Sequence, residues 1–153
     1  MTNNTAYAQL MAFQRQTEAL ALVAERLGWD QETMMPRGAA EQRGEEMAAI
    51  EGVLHGRRTD PRLADWLEAA DPVDAEGRAQ IRAIRRSFVR ATKVPSDLAQ
   101  EIARVTSTAQ GIWAEARAND RAEDFLPTLS EVIDLRRQEA ACLAQGGDLY
   151  DAL

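Results

Sequence analysis

Histidine occurs once in this sequence, at position 55, and that scarcity removes whole classes of chemistry. A thermolysin-type zinc site needs two histidines four residues apart on a helix, with a glutamate as base. A Ser-His-Asp or Cys-His centre needs a histidine beside its nucleophile. His55 is followed by Gly56-Arg57-Arg58 and fits neither pattern. Cysteine is just as scarce. With Cys142 alone, no disulfide closes within the chain, which suits a reducing cytoplasm. A basic surplus is also missing: 18 Lys and Arg stand against 25 Asp and Glu, a formal charge of −7. Duplex-binding modules carry a basic surplus to neutralise phosphates, and an acidic surface is repelled by anionic membranes. Neither nucleic acid nor membrane is therefore an expected partner. Long apolar runs are absent too. The apolar part of the first helical segment is broken by Gln14, Arg15, Gln16 and Glu18, and nothing approaches the roughly 18 to 20 residues of a membrane span. Residues 1–6 lack the basic region and apolar core of a secretory signal.

What remains is a helix-forming composition. Ala, Glu, Arg, Gln and Leu dominate, while Val, Ile and Thr are scattered instead of forming strand-like runs. The chain is 45% hydrophobic and 28% charged, which is globular, and 153 residues suffice for one core. No repeat, low-complexity tract or flexible linker divides it, so residues 1–153 read as a single helical domain.

The spacing predicts about six helices arranged as an all-α array of helical hairpins. Over residues 5–27, Leu10, Phe13, Thr17, Leu20, Ala24 and Leu27 recur at three-four spacing, and Gly28 is placed to stop the helix. Residues 29–38 then read as a loop. A second helix over 39–57 carries Met47, Ile50 and Leu54 on one face, weakened by Gly44 and Gly52. Asp60-Pro61 reads as a cap and first turn for a short helix that buries Leu63, Trp66 and Leu67. After Asp71-Pro72, Asp74 caps a fourth helix to about residue 92, with Ile81, Ile84 and Phe88 on its apolar face. Val94-Pro95-Ser96 opens a fifth, whose stripe is Leu98, Ile102, Val105, Ala109, Ile112, Trp113 and Ala116. Asn119-Asp120 ends it. Pro127 starts a sixth, carrying Leu129, Val132, Ile133, Ala140 and Leu143 and ended by Gly146-Gly147. Residues 150–153 show no capping logic.

Four features invite a functional reading, and each has a structural one beside it. Glu51 lies one turn before His55, a spacing that offers two metal ligands and equally an ordinary polar pair near a helix C-terminus. Cys142 sits among Ala140, Ala141 and Leu143, as a small hydrophobe does, without the cationic neighbour a reactive thiolate needs. Arg78, Arg82, Arg86 and Arg90 recur every four residues, with Arg85 and Lys93 nearby, as a stripe that faces solvent, pairs with the chain's surplus carboxylates, or meets an anionic ligand or partner. The stretch Trp29-Asp30-Gln31-Glu32-Thr33-Met34-Met35-Pro36 reads as a packed corner, with Trp29 buried at the junction and Asp30 and Thr33 accepting free main-chain N–H groups.

That same stretch, extended to Leu27-Gly28, resembles the N-terminal signature of carboxypeptidase Taq-type metallocarboxypeptidases. The likeness continues through Ala91-Thr92-Lys93-Val94-Pro95, the run Trp113-Ala114-Glu115-Ala116-Arg117-Ala118-Asn119, and Tyr150-Asp151-Ala152-Leu153, in the family's order. The resemblance implies a much longer, almost wholly helical, cytoplasmic and usually dimeric enzyme that removes C-terminal residues from peptides. It implies zinc or cobalt, held by the histidines of a His-Glu-x-x-His helix and a later glutamate, with the motif glutamate acting as base. None of those residues matches a position here, so no catalytic, cofactor-binding or metal-ligating role is assigned to any residue of this chain. Its helices are expected to help wall the substrate groove, and the chain alone is expected to be inactive. Its partners are expected to be the remainder of the enzyme or a second copy of itself. The chain reads as an N-terminal fragment; the alternative is a stand-alone, non-enzymatic helical interaction module.

Overall fold

The computed structural model describes residues 3–72 and 74–153, with the backbone alone for Asn3 and Asn4. Part of the 1–6 segment considered above as a signal therefore lies outside the described residues. Among those residues there is no strand, and seven α-helices follow one another: α1 Asn3–Thr33, α2 Ala40–Arg58, α3 Arg62–Ala69, α4 Ala75–Ala91, α5 Ser96–Ala118, α6 Leu126–Ala144 and α7 Leu149–Ala152. The all-α array expected from the periodicity is thus what forms, with one helix more than anticipated.

Capping and turn residues set several of these boundaries. Asp74 accepts the Gly77 N–H at 2.7 Å and starts α4. Asp60 accepts the Arg62 N–H at 2.9 Å and starts α3. Pro127 occupies the first turn of α6, where a missing N–H costs nothing. Gln145 (φ 49°) and Gly146 (φ 93°) then turn left-handed and end that helix. The extra helix, α7, begins at Asp148, whose carboxylate accepts the N–H groups of Tyr150 and Asp151 at 2.8 and 3.2 Å. Residues 150–153 therefore do have a cap; it lies just upstream of the stretch that reads as uncapped.

The larger correction concerns α1. Gly28 does not end it; the helix runs on to Thr33, so the first half of the expected 29–38 loop is helical. Glycine stops a helix only where the chain turns left-handed, and here the turn beyond it is held by neighbours. Asp30 pairs with Arg43, Gln31 bonds to Ser107, and the Thr33 hydroxyl donates back to Trp29 O at 2.7 Å. The stop is Met35-Pro36, because a residue before proline is pushed out of helical geometry.

Two packing centres organise the helices. Leu10 of α1 and Leu63 and Leu67 of α3 form one, with Phe13, Trp66, Ile81, Ile84 and Phe88 packed around them. Phe13 and Trp66 meet tilted at 5.5 Å, and the guanidiniums of Arg57 and Arg62 lie 4.0 and 5.2 Å from the Phe13 ring centre. Arg57 also donates to Thr17 Oγ1 and Phe13 O, which locks the end of α2 onto the middle of α1. The second centre joins α2 to α5 around Leu54, Ile102, Val105 and Ala109. Gly44 and Gly52 sit on this contact. A Cβ at Gly44 would stand 3.0 Å from Thr108 Oγ1, and one at Gly52 2.9 Å from the Gln100 amide. Their helix penalty is offset by the close approach of α5.

Amphipathic spacing overstates burial at three places. Trp29, Trp113 and Ile133 are 64%, 50% and 41% exposed, although the sequence places each on a packed face or corner. Spacing shows which side of a helix is apolar; it does not show how far the neighbouring helix reaches along it.

Candidate functional site

A groove of about 720 Å³ runs between the α2/α5 pair and the helix ends around it. Met47, Glu51, His55 and Arg58 of α2 and Ile102, Ala103, Thr106, Ser107 and Gln110 of α5 form its floor. The last turns of α1 (Gly28, Gln31, Glu32) close one end, while Ser87 and Arg90 of α4 and Arg136, Glu139 and Leu143 of α6 line the rest. Apolar and polar side chains are mixed in this one concavity, as they are in a ligand cleft.

The signature segment builds one wall, and its hydrogen bonds show why its residues are of these types. Gln31 Nε2 donates to Ser107 O at 2.7 Å, and Ser107 Oγ donates to Gln31 Oε1 at 2.8 Å, so one amide is satisfied at both ends by one residue of α5. Arg43 is buried and spends its fork on three acceptors: Asp30 Oδ2 at 2.6 Å, Glu46 Oε2 at 2.9 Å, and Leu27 O. The Asp30 hydrogen bond, above all, holds the Arg43 guanidinium protonated more firmly than usual; burial opposes it and Glu46 adds to it. Asp30 thus anchors a helix end to its neighbour, instead of accepting turn N–H groups as expected. Thr33 likewise donates to a carbonyl and does not cap.

The other candidates resolve as follows. His55 is buried and its Nε2 lies 2.8 Å from Val94 O. A carbonyl only accepts, so this nitrogen carries the proton and the ring ties α2 to the α4–α5 connection. Glu51 turns away from His55 and engages Arg58 through both oxygens, at 3.0 and 3.2 Å, so the expected Glu51–His55 pair does not form. Glu139 binds Arg136 at 2.7 Å, and Arg90 donates to Ala152 O and Leu153 O. Cys142 is half-buried, and Arg78, Arg82 and Arg86 are exposed. Among the described residues, no three His, Cys, Asp or Glu side chains gather as a metal ion requires. The groove therefore has the shape and polarity to hold a ligand, and its histidine and most of its charged groups are engaged in holding the helices around it.

Arg43, Arg58 and Ser107 do not stand out in the sequence. Their partners Asp30, Glu51 and Gln31 do, and the missing signal is which residues meet: Asp30 and Gln31 bond across 13 and 76 residues of chain, and Glu51 across 7.

The chain is 39% identical to thermostable carboxypeptidase 1 of Thermus thermophilus, with all of this chain and 33% of that protein covered. It is 28% identical to thermostable carboxypeptidase 1 of Pyrococcus furiosus, over 98% of this chain and 31% of that one. Among solved structures, the Pyrococcus furiosus carboxypeptidase superposes with a TM-score of 0.72 at 27% identity, covering 97% of this chain and 31% of that one. Trypanosoma cruzi metallocarboxypeptidase 1 superposes with a TM-score of 0.71 at 27% identity, covering 98% and 31%. The chain thus spans about a third of the length of these relatives. Residues 9–153 match the family described as carboxypeptidase Taq (M32) metallopeptidase, and this chain belongs to it.

Proposed function

We propose that this chain forms the N-terminal helical domain of a metal-dependent carboxypeptidase that removes C-terminal residues from peptides. Its place there is to wall the substrate groove. The observation that carries this reading is that the family-like segment around residues 27–36 is pinned by Arg43 and Ser107 at the edge of the groove between α2 and α5. The metal, zinc or cobalt, and the base belong to the remaining two-thirds of a family-length enzyme. In that enzyme this domain shapes the groove; the chain alone hydrolyses no peptide bond. A cytoplasmic setting is consistent with the single cysteine, and no helix among the described residues is long and apolar enough to cross a membrane.

The native product in source cells tests the reading. A polypeptide of about three times this mass, with a His-Glu-x-x-His stretch and metal-dependent release of C-terminal residues, is the expected result. A native 16.9 kDa product with no larger partner overturns it. Adding zinc or cobalt to the 153-residue chain is expected to give only the background rate; a metal-dependent rate abolished by His55→Ala removes the inactivity reading.

A second reading, a helical interaction module that pairs with itself or a larger partner, draws on Leu22, Val23, Trp29, Val53 and Trp113, all at least 41% exposed. Dimerisation through such faces is expected to appear as a concentration-dependent mass in sedimentation equilibrium. A constant monomer mass across micromolar concentrations removes it.

A further inference from the structure

The outer face of α4 is uncompensated positive charge on an acidic protein. The helix holds Arg78, Arg82, Arg85, Arg86 and Arg90 against a single acid, Glu76. Ile81, Ile84 and Phe88 face the core formed with Leu10 and Leu63. At about 100° per residue, Arg78, Arg82, Arg85 and Arg86 fall within an arc of about 100° whose centre lies about 120° round the helix from that apolar side. Arg78, Arg82 and Arg86 are exposed and meet no carboxylate among the described residues; Arg85 donates to Leu67 O. Elsewhere Arg43, Arg58 and Arg104 find acids within their own or the neighbouring helix, and Arg62 finds Asp60 just before its helix. Like charges four apart on a helix repel one another. The chain carries 25 acids, yet none among the described residues forms an ion pair with Arg78, Arg82 or Arg86.

We infer that this face docks an acidic helical segment of another protein. Arg78, Arg82 and Arg86 rise by about 6 Å per step along the axis, and glutamates four apart on a partner helix rise by the same step, so carboxylates and guanidiniums meet in register. Val89, 45% exposed and one turn beyond Arg85 and Arg86 on the same arc, offers an apolar contact that a peptide helix uses and a phosphodiester chain does not. The chain's net charge of −7 weighs further against a long nucleic acid, whose charge density reaches the acidic remainder of the surface.

The test is fluorescence anisotropy with the 153-residue chain and a labelled, N-acetylated helical peptide of about 15 residues bearing glutamate at every fourth position. Binding is expected at about 20 mM salt, weakening towards about 300 mM as the charges are screened. The variant Arg78→Gln/Arg82→Gln/Arg86→Gln is expected to lose at least about tenfold in affinity while its far-ultraviolet circular dichroism is unchanged. A control of equal charge change, Arg26→Gln/Arg37→Gln/Arg117→Gln at exposed sites on α1, the α1–α2 connection and α5, is expected to bind as the parent does. Equal loss in both triple variants overturns the inference, since diffuse charge then explains the binding. No binding, or tighter binding of inorganic polyphosphate or a single-stranded oligonucleotide than of the peptide, overturns it as well. Retained binding by an isosteric peptide with glutamine in place of glutamate does the same.

Discussion

Gln31 and Ser107 satisfy each other completely across the α1–α5 interface, amide nitrogen to carbonyl at 2.7 Å and hydroxyl to amide oxygen at 2.8 Å. Ser107 is 8% exposed, so solvent does not replace either bond readily. Ser107→Ala is expected to cost about 1–2 kcal/mol, the range for leaving a part-buried acceptor without its donor. Gln31→Ala is expected to cost a similar amount, and the double variant less than the sum. Urea denaturation of the four proteins gives the coupling; strict additivity shows that the two side chains act independently.

Arg43 is the stronger anchor because three acceptors depend on one guanidinium. Removing it frees Leu27 O, Asp30 and Glu46 together, and Arg43→Met is expected to destabilise by about 2–3 kcal/mol. Arg43→Lys is expected to recover less than half of that loss, since a single ammonium does not span the same fork. Denaturant midpoints measure both. A lysine variant as stable as the parent shows that charge alone, without geometry, fixes the end of α1.

Two glycines separate helix propensity from packing. Gly28 lies inside α1, and a Cβ added there would meet nothing within 4 Å, so Gly28→Ala is expected to stabilise by about 0.5–1 kcal/mol. Gly77, in the first turn of α4, would place a Cβ 2.7 Å from Pro72 Cβ and 3.0 Å from the Tyr7 hydroxyl. Gly77→Ala is expected to cost about 1–3 kcal/mol. Thermal unfolding of the pair checks the opposite signs. Destabilisation by Gly28→Ala restores the reading of that glycine as a helix stop.

Gly28 also marks where sequence legibility ends. The capping aspartates Asp60 and Asp74 and the first-turn Pro127 act locally, within a few residues, so they are readable without the fold. The effect of Gly28 depends on Asp30 meeting Arg43 and Gln31 meeting Ser107, and those contacts exist only once α1, α2 and α5 are packed. The site divides the same way. The 27–36 segment stands out in the sequence by its composition and its family resemblance. The groove it borders is assembled from five helices, and His55 shows its role only beside Val94 O.

Two carboxylates give the acid limb of stability a defined direction. Arg62 beside Asp60, mainly through its side-chain hydrogen bond, holds that carboxyl below its ordinary value of 3.8. Arg104 does the same for Glu101 relative to 4.5. Because both folded values are depressed, the unfolded chain binds more protons as pH falls. The contribution of each pair is full above the ordinary value and is lost as pH drops through the folded one. Each is worth no more than about 1 kcal/mol, less for Glu101, whose side chain is 42% exposed. Urea midpoints between about pH 7 and about pH 3 are expected to fall, and Asp60→Asn/Glu101→Gln to flatten part of that fall. An unchanged slope in the double variant assigns the acid sensitivity to other carboxylates.

Trp29 provides the sharpest contrast between a packed corner and an uncovered face. As a buried aromatic, its deletion would cost about 3–5 kcal/mol. At 64% exposure, with Met34 at 71% beside the same helix end, little of the indole is shielded from water, and Trp29→Ala is expected to cost less than about 1 kcal/mol in dilute solution. The neighbouring Asp30 and Gln31 keep their bonds to Arg43 and Ser107 in that variant, so α1 should remain helical to its end. Denaturation at two protein concentrations separates the possibilities. A small loss at both concentrations shows an uncovered tryptophan. A loss that grows with concentration shows that Trp29 is covered by a second copy. A loss above about 2 kcal/mol at both shows that the indole packs within the chain, against the geometry described for α1.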